Sequence, residues 1–149
     1  MSRLSTAAFS LLLVASGSTA AAAQESAAAG QNRAEADTLL LFGATWCAPC
    51  VAELRSLKPI AEQTAPAKVL IVWQDNGIAR LVPPSLGNVA LAGPEQAQKL
   101  TSQFLATGGG LPFAVMVDAA GRACAQHRGP LTPQDAAAMA RSCGVARHD

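Results

Sequence analysis

The sequence predicts an α/β domain, a central mixed β-sheet flanked by helices, and three observations predict it. An apolar run from Leu39 to Phe42 stops at Gly43 and delivers two cysteines, Cys47 and Cys50. A stripe at helical spacing follows at once, made of Val51, Leu54, Leu57, Ile60 and Ala61. Two more short runs, Val69 to Trp73 and Phe113 to Val117, have the β-branched and aromatic make-up of buried strands. The resulting order is β-α-β, helix, β-β-α. Two crossover units, a hairpin and a last helix then place helices on both faces of the sheet.

The N-terminus comes first. Arg3 supplies a positive region, Ala7 to Ala15 a short apolar core, and Ala21-Ala22-Ala23 a small-residue cleavage pattern before Gln24. Residues 1–23 are therefore expected to be a cleavable signal peptide, with an apolar core too short to span a bilayer. Gln24 to Asp37 is rich in Ala, Glu and Gln without an apolar stripe, and reads as a flexible leader. Residues 38–149 form the one domain. The expected location is the periplasm, where cysteines meet oxidising conditions.

The 149 residues carry 11 basic and 10 acidic side chains, and loss of Arg3 with the signal makes them equal. A balanced surface with scattered Lys and Arg argues against nucleic acid as a partner. A monomer is expected.

After Val69 to Trp73 the stretch from Asp75 to Gly93 is the hardest to read. It holds Pro83-Pro84, three glycines and one short strand at Val89 to Leu91. Pro94 opens a helix containing Ala97, Leu100, Phe104 and Leu105, which Gly108-Gly109-Gly110 stops. Asp118 to Arg122 reads as a hairpin turn into a strand from Ala123 to Arg128. Thr132 caps the last helix, Pro133 occupies its first position and Gly144 ends it.

The two thiols of the first pair are not equivalent. Cys47 sits where free backbone N–H groups favour a negative charge, which lowers a thiol pKa from about 8.5 into the range of about 3.5–7.5. Cys47 is the expected nucleophile. Cys50, one turn deeper, is the resolving thiol that attacks a mixed disulfide. Pro49 starts the helix without wasting a donor, and Trp46 gives an apolar rim. A plain disulfide or half a zinc site are the other readings of such a pair; strand before and helix after favour the redox one.

This stretch resembles the thioredoxin superfamily, and within it the exported TlpA/ResA/DsbE-type thiol–disulfide oxidoreductases. The matching pattern is Trp46-Cys47-Ala48-Pro49-Cys50 with Glu53 and Leu54 after it. Gly110-Leu111-Pro112 is the second match. The resemblance, which spans Thr38 to Cys143, implies a cis bond at Pro112 and a Leu111 backbone that pairs with a bound substrate strand. It also implies dithiol exchange with protein thiols and disulfides, no organic cofactor and no bound metal. A reductant fed by a membrane electron donor is preferred over a DsbA-like oxidant that would need an acceptor.

The sequence departs from the family in three places. Where many thioredoxins bury an acid, Leu41 stands, so Glu53 is the nearby carboxylate. Its readings are a general base for Cys50 or a solvated first-turn residue. Arg55 stands where the exported branch often has proline. Pro59 is expected to kink or end the motif helix. The N-terminal strands that the exported branch adds are missing.

Cys124 and Cys143 make a second pair. The strand from Cys124 runs about 13 Å and the helix to Cys143 returns about 16 Å, which brings both cysteines to one end. A structural disulfide closing about 20 residues is expected, worth on the order of 3 kcal/mol. The rival is a redox pair relaying electrons to Cys47 and Cys50. His127 and His148 complete the possible metal ligands; a copper- or zinc-binding or docking module on the same fold is the non-catalytic alternative. His127 is expected on an edge strand and His148 in the C-terminal tail.

Overall fold

The computed structural model describes residues 34–82, 86–106 and 110–145. The expected signal peptide, most of the leader, Pro83 and Pro84, and His148 lie outside these residues. Among the described residues no helix is long and apolar enough to cross a membrane.

Five strands form one mixed sheet: β1 (Thr38–Gly43), β2 (Lys68–Trp73), β3 (Val89–Leu91), β4 (Phe113–Val117) and β5 (Ala123–Arg128), in the order β3-β2-β1-β4-β5. β1 lies at the centre, parallel to β2 and antiparallel to β4, and all six of its residues are buried. Both faces are covered, so the strand reads as a continuous apolar run rather than an alternating one. Leu39 and Leu41 join Val69, Ile71, Ala114 and Met116 on one face. Leu40 and Phe42 join Leu70, Val72, Phe113 and Val115 on the other.

The first face is covered by α1 (Ala48–Glu53), α2 (Leu57–Thr64) and α4 (Pro133–Ser142), through Cys50, Leu57, Ile60, Ala136 and Met139. The second is covered by α3 (Pro94–Phe104), through Ala97 and Leu100. Capping follows the sequence signals. Thr132 and Asp135 form a reciprocal capping box on α4, and Gly144 ends it at φ +70°. The β4–β5 turn closes on Asp118, whose Oδ1 accepts the N–H groups of Ala120 and Arg122.

Three expectations need correction. The motif helix does not break at Pro59. It breaks upstream, in a 3-10 turn at Leu54–Ser56, and Pro59 falls in the first turn of α2. A proline lacks the N–H that a helix interior needs but a first turn does not, so the break moves ahead of it.

The second helical passage is not a parallel crossover either. Pro94 and Ala97 share a cleft with Trp73, Gln74 and Asp75 at the exit of β2. At the other end of α3, Phe104 lies 6.2 Å from Phe42, whose ring is 5.8 Å from Phe113 at the start of β4. The helix thus crosses beneath one end of the sheet. It feeds β4 from the end at which β3 finished, and β4 must run antiparallel to β1.

The last residues assigned to the leader, Ala34 to Asp37, are held against the domain. Ala34 is buried against the α3 face, and Asp37 bonds with Asp118 and Lys68 through its backbone.

Candidate functional site

The site lies at the end of the sheet where β1 exits. Gly43 ends the strand, and the Trp73 ring covers it so closely that a Cβ there would lie 2.2 Å from the indole. Any larger residue at this position would have to displace the indole. Residues 44–47 then turn, with the Cys47 N–H bonded to the Ala44 carbonyl at 3.1 Å. Cys47 is the N-cap of α1, and its Sγ accepts the Cys50 N–H at 3.3 Å. Pro49, in the first turn, has no donor to leave unpaired.

The two cysteines are disulfide-bonded, with Cα atoms 5.3 Å apart. Their surroundings differ. Cys50 is 0% exposed and Cys47 5%, while Trp46 beside them is 72% exposed. Cys47, next to Trp46, is the more accessible of the two. Leu111 and Pro112 lie at this same end, because Phe113 pairs with Phe42. The bond between them is cis, and the Pro112 carbonyl accepts the Gly129 N–H at 2.9 Å. Leu111 is half-buried against the cluster that holds both cysteines.

Glu53 is not the solvated first-turn residue that one reading allowed. Its Oε1 accepts the Leu131 N–H at 2.6 Å, and the side chain is largely enclosed beneath the dithiol helix. Burial pushes its pKa up to about 7, against the opposing pull of that backbone hydrogen bond. A carboxyl poised there can take or return a proton near neutral pH. The strand position that could have held an acid, Leu41, is 3% exposed and packs in the same apolar cluster.

Cys124 and Cys143 are disulfide-bonded with Cα atoms 5.5 Å apart. Ala123 pairs with Val117, and Val117 with Thr38, so this bond sits at the opposite end of the sheet from Cys47. His127 lies on edge strand β5, with Nε2 3.3 Å from the Pro130 carbonyl. Among the described residues no group of three or more His, Cys, Asp or Glu side chains could hold a metal ion.

Sequence reasoning missed the Leu131 N–H and Asp75. Asp75, just past β2, accepts both the N–H and the hydroxyl of Thr45. Neither partner shows in local spacing, because each contact joins segments at least thirty residues apart.

No protein-family model and no curated protein matches the sequence. Solved structures do match in shape. MTB dsbF superposes with a TM-score of 0.57 at 16% identity, covering 71% of this chain and 79% of that one. A thio-disulfide isomerase from Thermus thermophilus gives 0.53 at 18% identity, covering 68% and 75%. A thioredoxin-like protein from Aeropyrum pernix gives 0.52 at 14% identity, covering 83% and 97%. With the Cys47–Cys50 pair at the head of α1 and the cis bond before Pro112 at the same end of the sheet, this chain has the thioredoxin-like fold, which it shares with these structures.

Proposed function

We propose that this protein is a periplasmic thiol–disulfide oxidoreductase that reduces disulfides of other proteins. The observation that carries the reading is the inequality of the dithiol. Cys47 is the cysteine next to the exposed Trp46 and accepts an N–H, whereas Cys50 lies beneath it on a helix that also carries a carboxyl of raised pKa.

In the first step the Cys47 thiolate attacks one sulfur of a substrate disulfide. That bond breaks, a Cys47–substrate disulfide forms, and the substrate's other sulfur leaves as a thiolate that takes a proton. Glu53 then accepts the Cys50 proton. The Cys50 thiolate attacks Cys47 Sγ, the Cys47–Cys50 bond forms, and the second substrate thiolate departs. Two electrons have passed to the substrate, and a dithiol donor at the membrane restores the enzyme. The substrate segment lies as an extended strand along the Leu111 backbone, with Trp46 against its apolar side chains. Preference for reduction over oxidation rests on the resemblance of the motif to the exported branch, as does the periplasmic location on residues 1–23.

Variants at the two cysteines test this order of attack. Incubation of Cys50→Ser with disulfide-bonded insulin should accumulate a Cys47-linked mixed disulfide, and Cys47→Ser should not. Trapping through Cys50 in the Cys47→Ser variant would overturn the assignment.

A further inference from the structure

We propose that Asp75 is a positioning residue for Cys47: its carboxylate clamps the turn that carries the nucleophile and so raises the fraction of Cys47 held as thiolate. The proposal rests on the dithiol reading above.

Thr45 stands two residues before Cys47, and it gives both of its donors to one carboxylate oxygen. Its N–H lies 2.8 Å and its hydroxyl 2.7 Å from Asp75 Oδ2. The other oxygen, Oδ1, accepts the Gly77 N–H at 3.3 Å. The carboxylate is thereby tied on one side to the motif turn and on the other to its own loop.

The packing agrees with the hydrogen bonds. A Cβ at Gly77 would lie 2.5 Å from Thr45 Cγ2, so the Asp75–Gly77 segment rests directly on the threonine. One step earlier, the Gln74 N–H bonds the Gly43 carbonyl at 3.0 Å. The exit of β2 therefore holds the turn at Gly43 and again at Thr45. Between these two points the Ala44 carbonyl receives the Cys47 N–H.

This arrangement bears on reactivity because, in the disulfide state, the Cys50 N–H reaches Cys47 Sγ at 3.3 Å with Cys47 in its capping conformation, φ −91° and ψ 94°, and the same conformation would aim that donor at the thiolate after reduction. α1 is six residues long and cannot hold that geometry by itself. Once Thr45 is released, the turn samples other conformations and the thiolate loses its donor for part of the time. The negative charge of Asp75 acts in the other direction, since a like charge disfavours a nearby thiolate. A variant that keeps the acceptor oxygen and drops the charge separates the two effects. The titratable and charged groups on the segments at this end are Cys50 and Glu53 on α1 with Arg55 after it, Asp75 and Arg80 after β2, and Arg128 at the end of β5, whose guanidinium lies over the Phe113 ring.

The experiment follows iodoacetamide alkylation of Cys47 in the reduced full-length protein, by peptide mass spectrometry, from pH 5 to pH 10. Asp75→Ala should react about fivefold more slowly below the thiol pKa, the equivalent of one ordinary hydrogen bond. Its rate should converge with wild type at high pH, where both thiols are fully ionised. Asp75→Asn should stay within about twofold of wild type at every pH, because its amide oxygen still accepts from Thr45. Superimposable wild-type and Asp75→Ala profiles would overturn the proposal. A uniform slowing at all pH values would do the same, since that reports access rather than ionisation, and so would an Asp75→Asn variant as slow as Asp75→Ala. If Asp75→Ala does not fold, Thr45→Val carries the test. It loses the hydroxyl donor and keeps the N–H, so a smaller slowing confined to low pH is expected, and no change refutes the clamp. Failure of the function itself looks different: wild-type Cys47 and Cys50 would then show no reversible couple in glutathione buffers.

Discussion

Replacing Glu53 by Gln should stabilise the oxidised protein at alkaline pH and leave it unchanged in acid. Burial raises the folded-state pKa of Glu53 from 4.5 to about 7. Between those values the folded protein keeps a proton that the unfolded chain has released, so stability falls as the pH rises. The contribution of the protonated carboxyl is complete below pH 4.5 and gone once the pH passes about 7. At roughly 1.4 kcal/mol per unit, the full shift corresponds to about 3 kcal/mol. Partial solvent access reduces this to on the order of 1–3 kcal/mol. Gln cannot ionise, yet its amide oxygen can still accept the Leu131 N–H. Urea unfolding of wild type and Glu53→Gln at pH 4.5, 6, 7 and 8 measures the difference, and oxidised protein keeps all four cysteines out of the titration. The variant should gain stability between pH 4.5 and 7, then hold a constant advantage. A difference that does not change with pH would refute the buried-acid account.

Further outcomes follow from the same geometry. In insulin reduction at pH 7, Glu53→Gln should be about a hundredfold slower in releasing the mixed disulfide, within the usual range for a general base, as read by quenched-flow trapping. Gly43→Ala should cost about 1–3 kcal/mol in urea unfolding, because its Cβ would lie 2.2 Å from the Trp73 ring. Replacing Cys124 and Cys143 together by Ala should lower stability by about 3 kcal/mol. The potential of the Cys47–Cys50 couple, at the other end of the sheet, should not move. Trp46→Ala should leave stability within about 0.5 kcal/mol, because the side chain is 72% exposed, while slowing reaction with protein disulfides more than with small ones.

The strands were legible because β1, β2 and β4 are buried on both faces, which writes Leu39 to Phe42, Val69 to Trp73 and Phe113 to Val117 as unbroken apolar runs. The ends of α4 were legible because Thr132, Pro133 and Gly144 act locally. The path of α3 was not. Its amphipathic stripe says that one face is buried, but not whether the helix runs along the strands or across their ends. That is decided by Phe104 meeting Phe42, a contact between residues sixty-two positions apart in the chain. The break before Pro59 was visible as a proline, but its place was not, because the helix could yield on either side. At the site, the cysteines and Pro112 were marked by spacing. Glu53 could be found by position, but its burial depends on Leu131, seventy-eight residues away. The Thr45–Asp75 bonds have the same origin: two strand exits brought side by side by the β1–β2 register.

The central claim is that Cys47 and Cys50 form a reversible redox couple of reducing character. Titration of the protein against dithiothreitol and glutathione buffers, with alkylation and peptide mass spectrometry at each cysteine, tests it most directly. The account predicts a two-electron couple at Cys47–Cys50 near or below about −270 mV, the region of thioredoxin, with Cys124–Cys143 remaining oxidised well below it. A value towards about −120 mV would contradict the reducing direction, and no reversible couple at all would contradict the redox function itself.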